Sequence, residues 1–277
     1  MQENSVSYLA DGGLGLVTLA DPDGGNRLSE ARLTSLKKAL EAGLQDESVR
    51  VLLLRAGGGP GKPWCLGMDL DLLQGSLAGA SGGEREGGVS AYADLLYFIS
   101  TCAKPVLALI GGPVMAGGVG LAAACDGVYA VAGASFELTE VFYGLIPANV
   151  IPFLLGRRIG MQKIKHLVMS ARKCTAEEAR ALGLVDELLP ADDPDGALKK
   201  ALRPYFRAAP SAQKATKEFL EALDGETMEE GLVRAQRTIL GLMASEPVGH
   251  ALGALKAGET PRWFSRPQPS HKLFFPD

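Results

Sequence analysis

One stretch, residues 105–126, joins a short apolar strand to a small-residue helix through a glycine-rich turn. Val106–Ile110 is a continuous apolar run, which predicts a buried strand. The small apolar residues of 119–125 predict a buried helix. Gly117 and Gly118 fall at its start, where N–H groups have no partners within the helix and the dipole favours negative charge. They are candidates for holding an oxyanion, and tight packing of the helix against the strand is the alternative interpretation.

The rest of the chain alternates predicted strands and helices up to about residue 190, and only helices follow. This pattern predicts an α/β fold, with a core domain over 1–192 and a helical region over 193–277. Residues 75–88 are rich in Gly, Ser and Ala and predict a mobile loop, followed by a helix over 90–101. The four C-terminal helices are predicted at 196–207, 211–222, 227–244 and 246–255.

Composition and charge argue against several classes of function. A net charge of −4 over 277 residues argues against a nucleic-acid partner. No apolar run is long enough to cross a membrane, and the first residues do not have the pattern of a signal peptide. The four cysteines and three histidines are scattered, which predicts reduced thiols and no metal site. We therefore expect a cytoplasmic protein.

Two nucleotide-binding patterns are matched only in part. A P-loop at 56–62 would need glycine at Ala56 and Ser or Thr at Pro63, so it fails at both positions. Residues 118–123 fit the dinucleotide pattern G-x-G-x-x-A, but the first glycine of that pattern should follow its strand directly, whereas residues 111–117 lie between the strand and Gly118. Neither pattern has the context that a nucleotide site requires.

Two motifs resemble those of the enoyl-CoA hydratase/isomerase (crotonase) superfamily. Residues 64–69, Trp-Cys-Leu-Gly-Met-Asp, resemble its first oxyanion motif, and residues 116–118, Ala-Gly-Gly, resemble its second. Further segments occur in the family's order and spacing, so that the resemblance covers most of residues 5–190: 26–29, 125–126, 136–147 and 179–186. It implies a crotonase-like spiral of ββα units with a C-terminal helical oligomerisation region, forming a homotrimer or a dimer of trimers.

The resemblance also implies roles for individual residues. The N–H groups of Leu66 and Gly117 would hold the thioester oxygen, and Glu140 would act as the base. A solvated surface group is the alternative for Glu140. Where hydratases of the family carry another glutamate this chain has Gly120, which argues against water addition by two carboxylates. The residues expected to bind substrate are Cys65, Gly67, Met68, Asp69, Ala116, Gly118 and Tyr143. Among these, Asp69 is also a candidate helix N-cap.

Gly120, Glu140 and the segment 144–148 together resemble the dehydratases of polyketide β-branching cassettes. That resemblance implies a lyase that converts 3-hydroxy-3-methylglutaryl thioester on an acyl carrier protein to 3-methylglutaconyl thioester. It implies no cofactor beyond the phosphopantetheine of the carrier protein or of CoA. An enoyl-CoA hydratase, a Δ3,Δ2-enoyl-CoA isomerase and a non-catalytic crotonase-fold scaffold are the alternatives.

A basic rim is the candidate docking surface for an acidic carrier protein, and a solvated helix face is the other explanation of the same charges. Its residues are Arg157, Arg158, Lys163, Lys165, Arg172 and Lys173.

Overall fold

The structure is a computed structural model that describes residues 6–69 and 83–276, with side chains from residue 90 in the second part. Its strands are β1 (Val6–Asp11), β2 (Leu14–Leu19), β3 (Val51–Ala56), β4 (Val106–Ile110), β5 (Pro113–Met115), β6 (Gly127–Val131), β7 (Ser135–Glu137), β8 (Cys174–Thr175) and β9 (Glu187–Leu189). Six of them form one sheet in the order β1-β2-β3-β4-β6-β9, antiparallel only between β1 and β2. The other three form a small sheet in the order β5-β7-β8.

Helices follow most of the strands, as the alternating pattern predicts. They are α1 (Glu30–Gln45), α2 (Gly83–Thr101), α3 (Gly117–Ala124), α4 (Ile151–Arg157), α5 (Met161–Ser170), α6 (Ala176–Leu182), α7 (Pro194–Arg207), α8 (Pro210–Ala222), α9 (Met228–Met243) and α10 (Glu246–Lys256). Ser29 caps α1, and Thr175 and Glu178 form a capping box on α6, which ends at Gly183 with φ 97°. None of these helices is both long and apolar enough to cross a membrane.

Helix α2 begins seven residues earlier than its sequence predicts. The predicted loop over 75–88 lies outside the described residues up to 82, and residues 83–88 are helical. Their glycines predict a loop, but the following turns bury Tyr92, Leu95, Leu96 and Ile99 in the core. A packed helix extends at low cost, because each added residue gains a hydrogen bond without a new nucleus.

The large sheet is covered on both faces, which explains its nearly continuous apolar strands. Along β3, Leu52 and Leu54 join the larger core cluster, whereas Val51 and Leu53 face a second one. Helix α7 contributes Leu198, Leu202 and Phe206 to that second cluster, together with residues 273–274 near the C-terminus. Part of the C-terminal region therefore packs directly on the sheet, and the boundary near residue 192 stays a prediction.

Candidate active site

Three parallel extended segments, 64–66, β5 and β7, lie side by side and carry the predicted site residues. On one side of β5, the Trp64 N–H donates to the Pro113 carbonyl and the Met115 N–H donates to the Cys65 carbonyl, each at 2.9 Å. On its other side β5 pairs with β7, so that Met115 lies opposite Glu137. This arrangement brings the first glycine motif, the start of α3 and the segment before Glu140 to one place.

Ala116 turns the chain sharply between β5 and α3. It has φ 47° and ψ −122°, a conformation that costs energy in a residue with a side chain. Its N–H donates to the Glu137 carbonyl at 2.8 Å, which holds the turn. Helix α3 starts at the next residue, as predicted, so the Gly117 N–H is a helix-terminal donor with no main-chain partner in the ranges that the structure describes.

Gly118 is required by a close main-chain contact. A β-carbon there would lie 2.4 Å from the Cys65 carbonyl oxygen, which is far inside van der Waals contact. The glycine therefore lets α3 start against the 64–66 segment.

The structure corrects the assignment of Leu66 as an oxyanion donor. Its N–H donates to the Gly25 carbonyl at 2.9 Å and is therefore not free to bind a substrate. Two residues later, the Met68 N–H donates to no main-chain oxygen among the described residues. Gly67, with φ 84°, brings this segment to the helix start, since a β-carbon on it would lie 3.2 Å from the Gly117 nitrogen. Met68 is thus the donor in this loop that geometry favours.

The buried Asn26 fixes the position of the segment 63–69, which carries Met68, and the sequence analysis did not assign this role. Its side-chain amide donates to the Pro63 carbonyl at 2.9 Å, and its side-chain oxygen accepts from the Asp21 N–H at 2.9 Å. Asn26 has φ 49°, which asparagine tolerates better than most residues. The following residues then bond to the loop, from the Leu28 N–H to the Gly67 carbonyl and from the Asp69 N–H to the Leu28 carbonyl.

Glu140 is the first residue of a 3₁₀ helix, Glu140–Tyr143, that begins three residues after β7. Its side chain is partly buried, and its Oε2 atom is buried with no hydrogen-bond partner among the described residues. Burial raises the pKa of this carboxyl above its ordinary value, opposed only by a hydrogen bond from its own N–H. A carboxylate with a free oxygen and a raised pKa is suited to carry a proton near neutral pH.

Tyr92 of α2 is a site residue that sequence reasoning missed. Its hydroxyl donates to the Gly117 carbonyl, at the first residue of α3. The hydroxyl oxygen also fills the space beside Gly120, where a β-carbon would lie 2.2 Å from it and 3.0 Å from Val150. An aromatic residue on the apolar face of a helix is normally core, and nothing in the sequence marks this one as different.

For three other predicted site residues, Cys65, Tyr143 and Asp69, the structure gives less support for a role in the site. Burial raises the pKa of the Cys65 thiol to about 12, so a nucleophilic thiolate is disfavoured. Tyr143 is 74% exposed and extends away from the core. Asp69 borders the undescribed residues 70–82, so the helix that it was expected to cap lies outside the described residues. In the described part of the chain no cluster of His, Cys, Asp and Glu could hold a metal ion.

Only part of the predicted basic rim is free to bind a carrier protein. Arg158 is engaged with the fold, since its guanidinium donates to the Cys125 and Ala123 carbonyls and pairs with Asp186 at 2.8 Å. Two further arginines form ion pairs, Arg157 with Glu221 and Arg172 with Glu178. The exposed basic residues left for a partner are Lys163, Lys165 and Lys173.

Comparisons with known proteins agree with this arrangement. Residues 10–247 match the family model described as enoyl-CoA hydratase/isomerase. The chain is 33% identical to the mitochondrial methylglutaconyl-CoA hydratase of Mus musculus over 221 residues, 78% of this chain and 68% of that protein. Pseudomonas aeruginosa AtuE is 30% identical, with a TM-score of 0.86 over 94% of this chain and 100% of that one. An enoyl-CoA hydratase/isomerase from Marinobacter aquaeolei is 26% identical, with a TM-score of 0.86 over 95% and 100%. This chain therefore has a crotonase-like α/β fold and belongs to the enoyl-CoA hydratase/isomerase family.

Proposed function

We propose that this protein is a lyase that adds water reversibly to the double bond of a 2-enoyl-CoA thioester. The observation that carries the proposal is Glu140, whose Oε2 is buried, has no hydrogen-bond partner among the described residues and lies just beyond the strand that pairs with β5. Ion-paired carboxylates are common on protein surfaces, whereas a partly buried carboxylate oxygen without a partner is costly and marks a candidate functional site.

The main-chain donors supply the electrostatic part of the chemistry. The N–H groups of Met68 and Gly117 bind the thioester oxygen and stabilise the enolate that forms when a nucleophile adds at C3. Both are fixed before the charge develops, and a single such donor contributes a factor of about 10²–10³ to turnover. The strained Ala116 maintains the direction of the Gly117 N–H.

Glu140 supplies the proton transfer. It takes a proton from water as the water oxygen bonds to C3, and then delivers the same proton to C2. One carboxylate suffices, because the proton removed from water is the one that C2 needs. In the reverse direction Glu140 removes the C2 proton and returns it to the departing hydroxyl.

A branched dicarboxylic acyl group is the substrate that we propose within this class. The mouse relative is named for methylglutaconyl-CoA, which is the same acyl group as the product of the 3-hydroxy-3-methylglutaryl dehydration implied by the sequence resemblance. The relatives' names support CoA as the carrier. Dehydration on an acyl carrier protein, as in polyketide β-branching, is the second candidate, supported by the subgroup resemblance and by the exposed Lys163 and Lys165.

A substrate panel tests these proposals. The purified protein is assayed with crotonyl-CoA, 3-methylglutaconyl-CoA, a 3-enoyl-CoA and 3-hydroxy-3-methylglutaryl-carrier protein. We expect hydration of the 2-enoyl-CoA substrates, with higher kcat/KM for the branched one. Preferential turnover of the carrier-bound substrate, lowered by charge reversal at Lys163 and Lys165, would support the second candidate. Activity on the 3-enoyl substrate alone would identify an isomerase, and no activity on any substrate would favour a scaffold.

A further inference from the structure

The hydroxyl group of Tyr92 lies beside Gly120, the position at which hydratases of the family carry their other glutamate. A side chain longer than hydrogen at position 120 would collide with it, because the hydroxyl oxygen is 2.2 Å from the β-carbon position of Gly120. The same oxygen is 3.3 Å from the β-carbon position of Gly117, the residue that begins α3 and provides an oxyanion donor. The hydroxyl group of this core residue therefore contacts the N-terminal turn of α3, which carries the oxyanion donor Gly117.

The hydrogen bond that Tyr92 donates leaves its phenol oxygen only as a hydrogen-bond acceptor for a ligand. Its O–H donates to the Gly117 carbonyl. A phenol oxygen also has lone pairs that accept hydrogen bonds, and these remain available once the proton is committed to Gly117. Tyr92 can thus act as a neutral acceptor at this position.

We propose that Tyr92 and Glu140 together orient the attacking water, with the phenol oxygen accepting a hydrogen bond from one of its O–H groups and the carboxylate accepting from the other. This inference rests on the proposed hydratase function and assigns Tyr92 as a further catalytic residue. Glu140 is suited to its part because its Oε2 is buried and has no partner among the described residues. Water held at two points has its oxygen lone pair directed at C3, which raises the rate through orientation.

Every atom in this step is accounted for. The water oxygen bonds to C3 as its proton passes to Glu140, and the electron pair of the C2–C3 double bond moves toward the thioester oxygen. Glu140 then protonates C2, and the other O–H, which bonded to Tyr92, becomes the 3-hydroxyl of the product. Tyr92 neither gains nor loses a proton, and no oxidant or reductant is involved.

The environment of Tyr92 agrees with a neutral acceptor. Burial is the main cause that raises the pKa of Tyr92 well above its ordinary value, and the nearby Cys65 and Glu140 add to the effect. The phenol therefore stays protonated at the pH of catalysis.

The alternative is that Tyr92 only supports α3 as a structural residue, and Tyr92→Phe distinguishes the two roles. Two reactions are measured on the same protein: hydration of crotonyl-CoA, and exchange of the C2 protons of butyryl-CoA with deuterium oxide. Exchange needs Glu140 and the oxyanion donors but no attacking water. We expect kcat for hydration to fall about 10- to 100-fold, as for loss of one hydrogen bond to a reacting group, while exchange changes less than about threefold. The matched control is Tyr97→Phe, at an exposed tyrosine on the same helix.

Site-specific 2,3-difluorotyrosine at position 92 provides a second variant that keeps the ring and the hydroxyl donor. Fluorine weakens the oxygen as an acceptor, so hydration should fall by an intermediate factor and exchange should persist. An equal fall of both reactions in Tyr92→Phe, or unchanged hydration in both variants, would overturn the role of Tyr92. If the unmodified protein catalyses neither reaction, the proposed function itself fails, and this inference fails with it.

Discussion

The hydroxyl oxygen of Tyr92 lies 2.2 Å from the point that a β-carbon on Gly120 would occupy. The side chain on α2 and the glycine on α3 are thus complementary in size, so a larger residue at position 120 requires the hydroxyl group at position 92 to be removed or displaced. Position 120 is therefore glycine in this chain because the Tyr92 hydroxyl leaves no room for a side chain there.

We predict that Gly120→Ala destabilises the protein by about 1–3 kcal/mol, as is usual for overpacking a buried site. Combining it with Tyr92→Phe removes the closest contact, so the double variant should lose less than the sum of the single losses. Urea denaturation of the four proteins measures this coupling, which we expect to be at least about 0.5 kcal/mol. Strictly additive losses would contradict the contact.

Gly118→Ala tests the close approach of α3 to the 64–66 segment. Its β-carbon would meet the Cys65 carbonyl oxygen at 2.4 Å, so the main chain has to move and displace the Gly117 donor. We expect kcat to fall by about 10²-fold, the order of effect of losing one oxyanion donor. The matched control is Gly156→Ala in α4, where a β-carbon would meet nothing within 4 Å. Similar kinetics for the two variants would show that the close approach is not required.

The main elements of the fold could be predicted because both faces of the sheet are buried and its strands are continuous apolar runs. Glycine pairs then predicted the start of α3, which the structure confirms at Gly117. The family's motifs predicted Glu140 as the base, and that role stays a prediction. The choice of donor could not be made in the same way, since Leu66 and Met68 are two residues apart in one motif. Contacts with residues that are distant in sequence distinguish them, above all the hydrogen bond from the Leu66 N–H to the Gly25 carbonyl.

Tyr92 was missed for a related reason. Its proposed role depends on which residue of α3 lies opposite, and that is a property of packing between two helices. The start of α2 was predicted too late because local glycine content favours a loop, whereas burial of the following turns favours a helix.

The Glu140 carboxyl, whose buried Oε2 has no hydrogen-bond partner in the described part of the chain, should be costly to the folded state. Because burial raises its pKa, the folded protein binds this proton more tightly than the unfolded chain does. The resulting destabilisation is absent at pH values below the unfolded pKa and fully present above the folded one. We therefore predict that Glu140→Gln has a higher Tm than the unmodified protein at pH 8, and that the difference shrinks at pH 4. Calorimetry at both pH values measures it, and a difference that grows toward acid pH would refute the account.

The C-terminal helices present apolar side chains that find no partner within the described chain. On α9, Leu232 and Ile239 are more than half exposed. We predict that these faces associate into a trimer or a dimer of trimers, since burying them removes apolar surface from water. Light scattering should give at least three times the mass of one chain at micromolar concentration. Leu232→Asp with Ile239→Asp should lower this mass, and Gln236→Asp on the same helix is the control that should not. A monomeric unmodified protein would remove the prediction.

The central claim is that Glu140 is the proton carrier of the site. It is tested most directly by the steady-state hydration kinetics of Glu140→Gln on the best 2-enoyl-CoA substrate, with Glu137→Gln as the control. Glutamine keeps the size of the side chain but cannot take a proton from water, so kcat should fall about 10²- to 10⁴-fold with little change in substrate binding. Glu137→Gln should retain most of the activity. Near-normal turnover by Glu140→Gln would contradict the claim and leave Glu137 or Asp69 as the base to test.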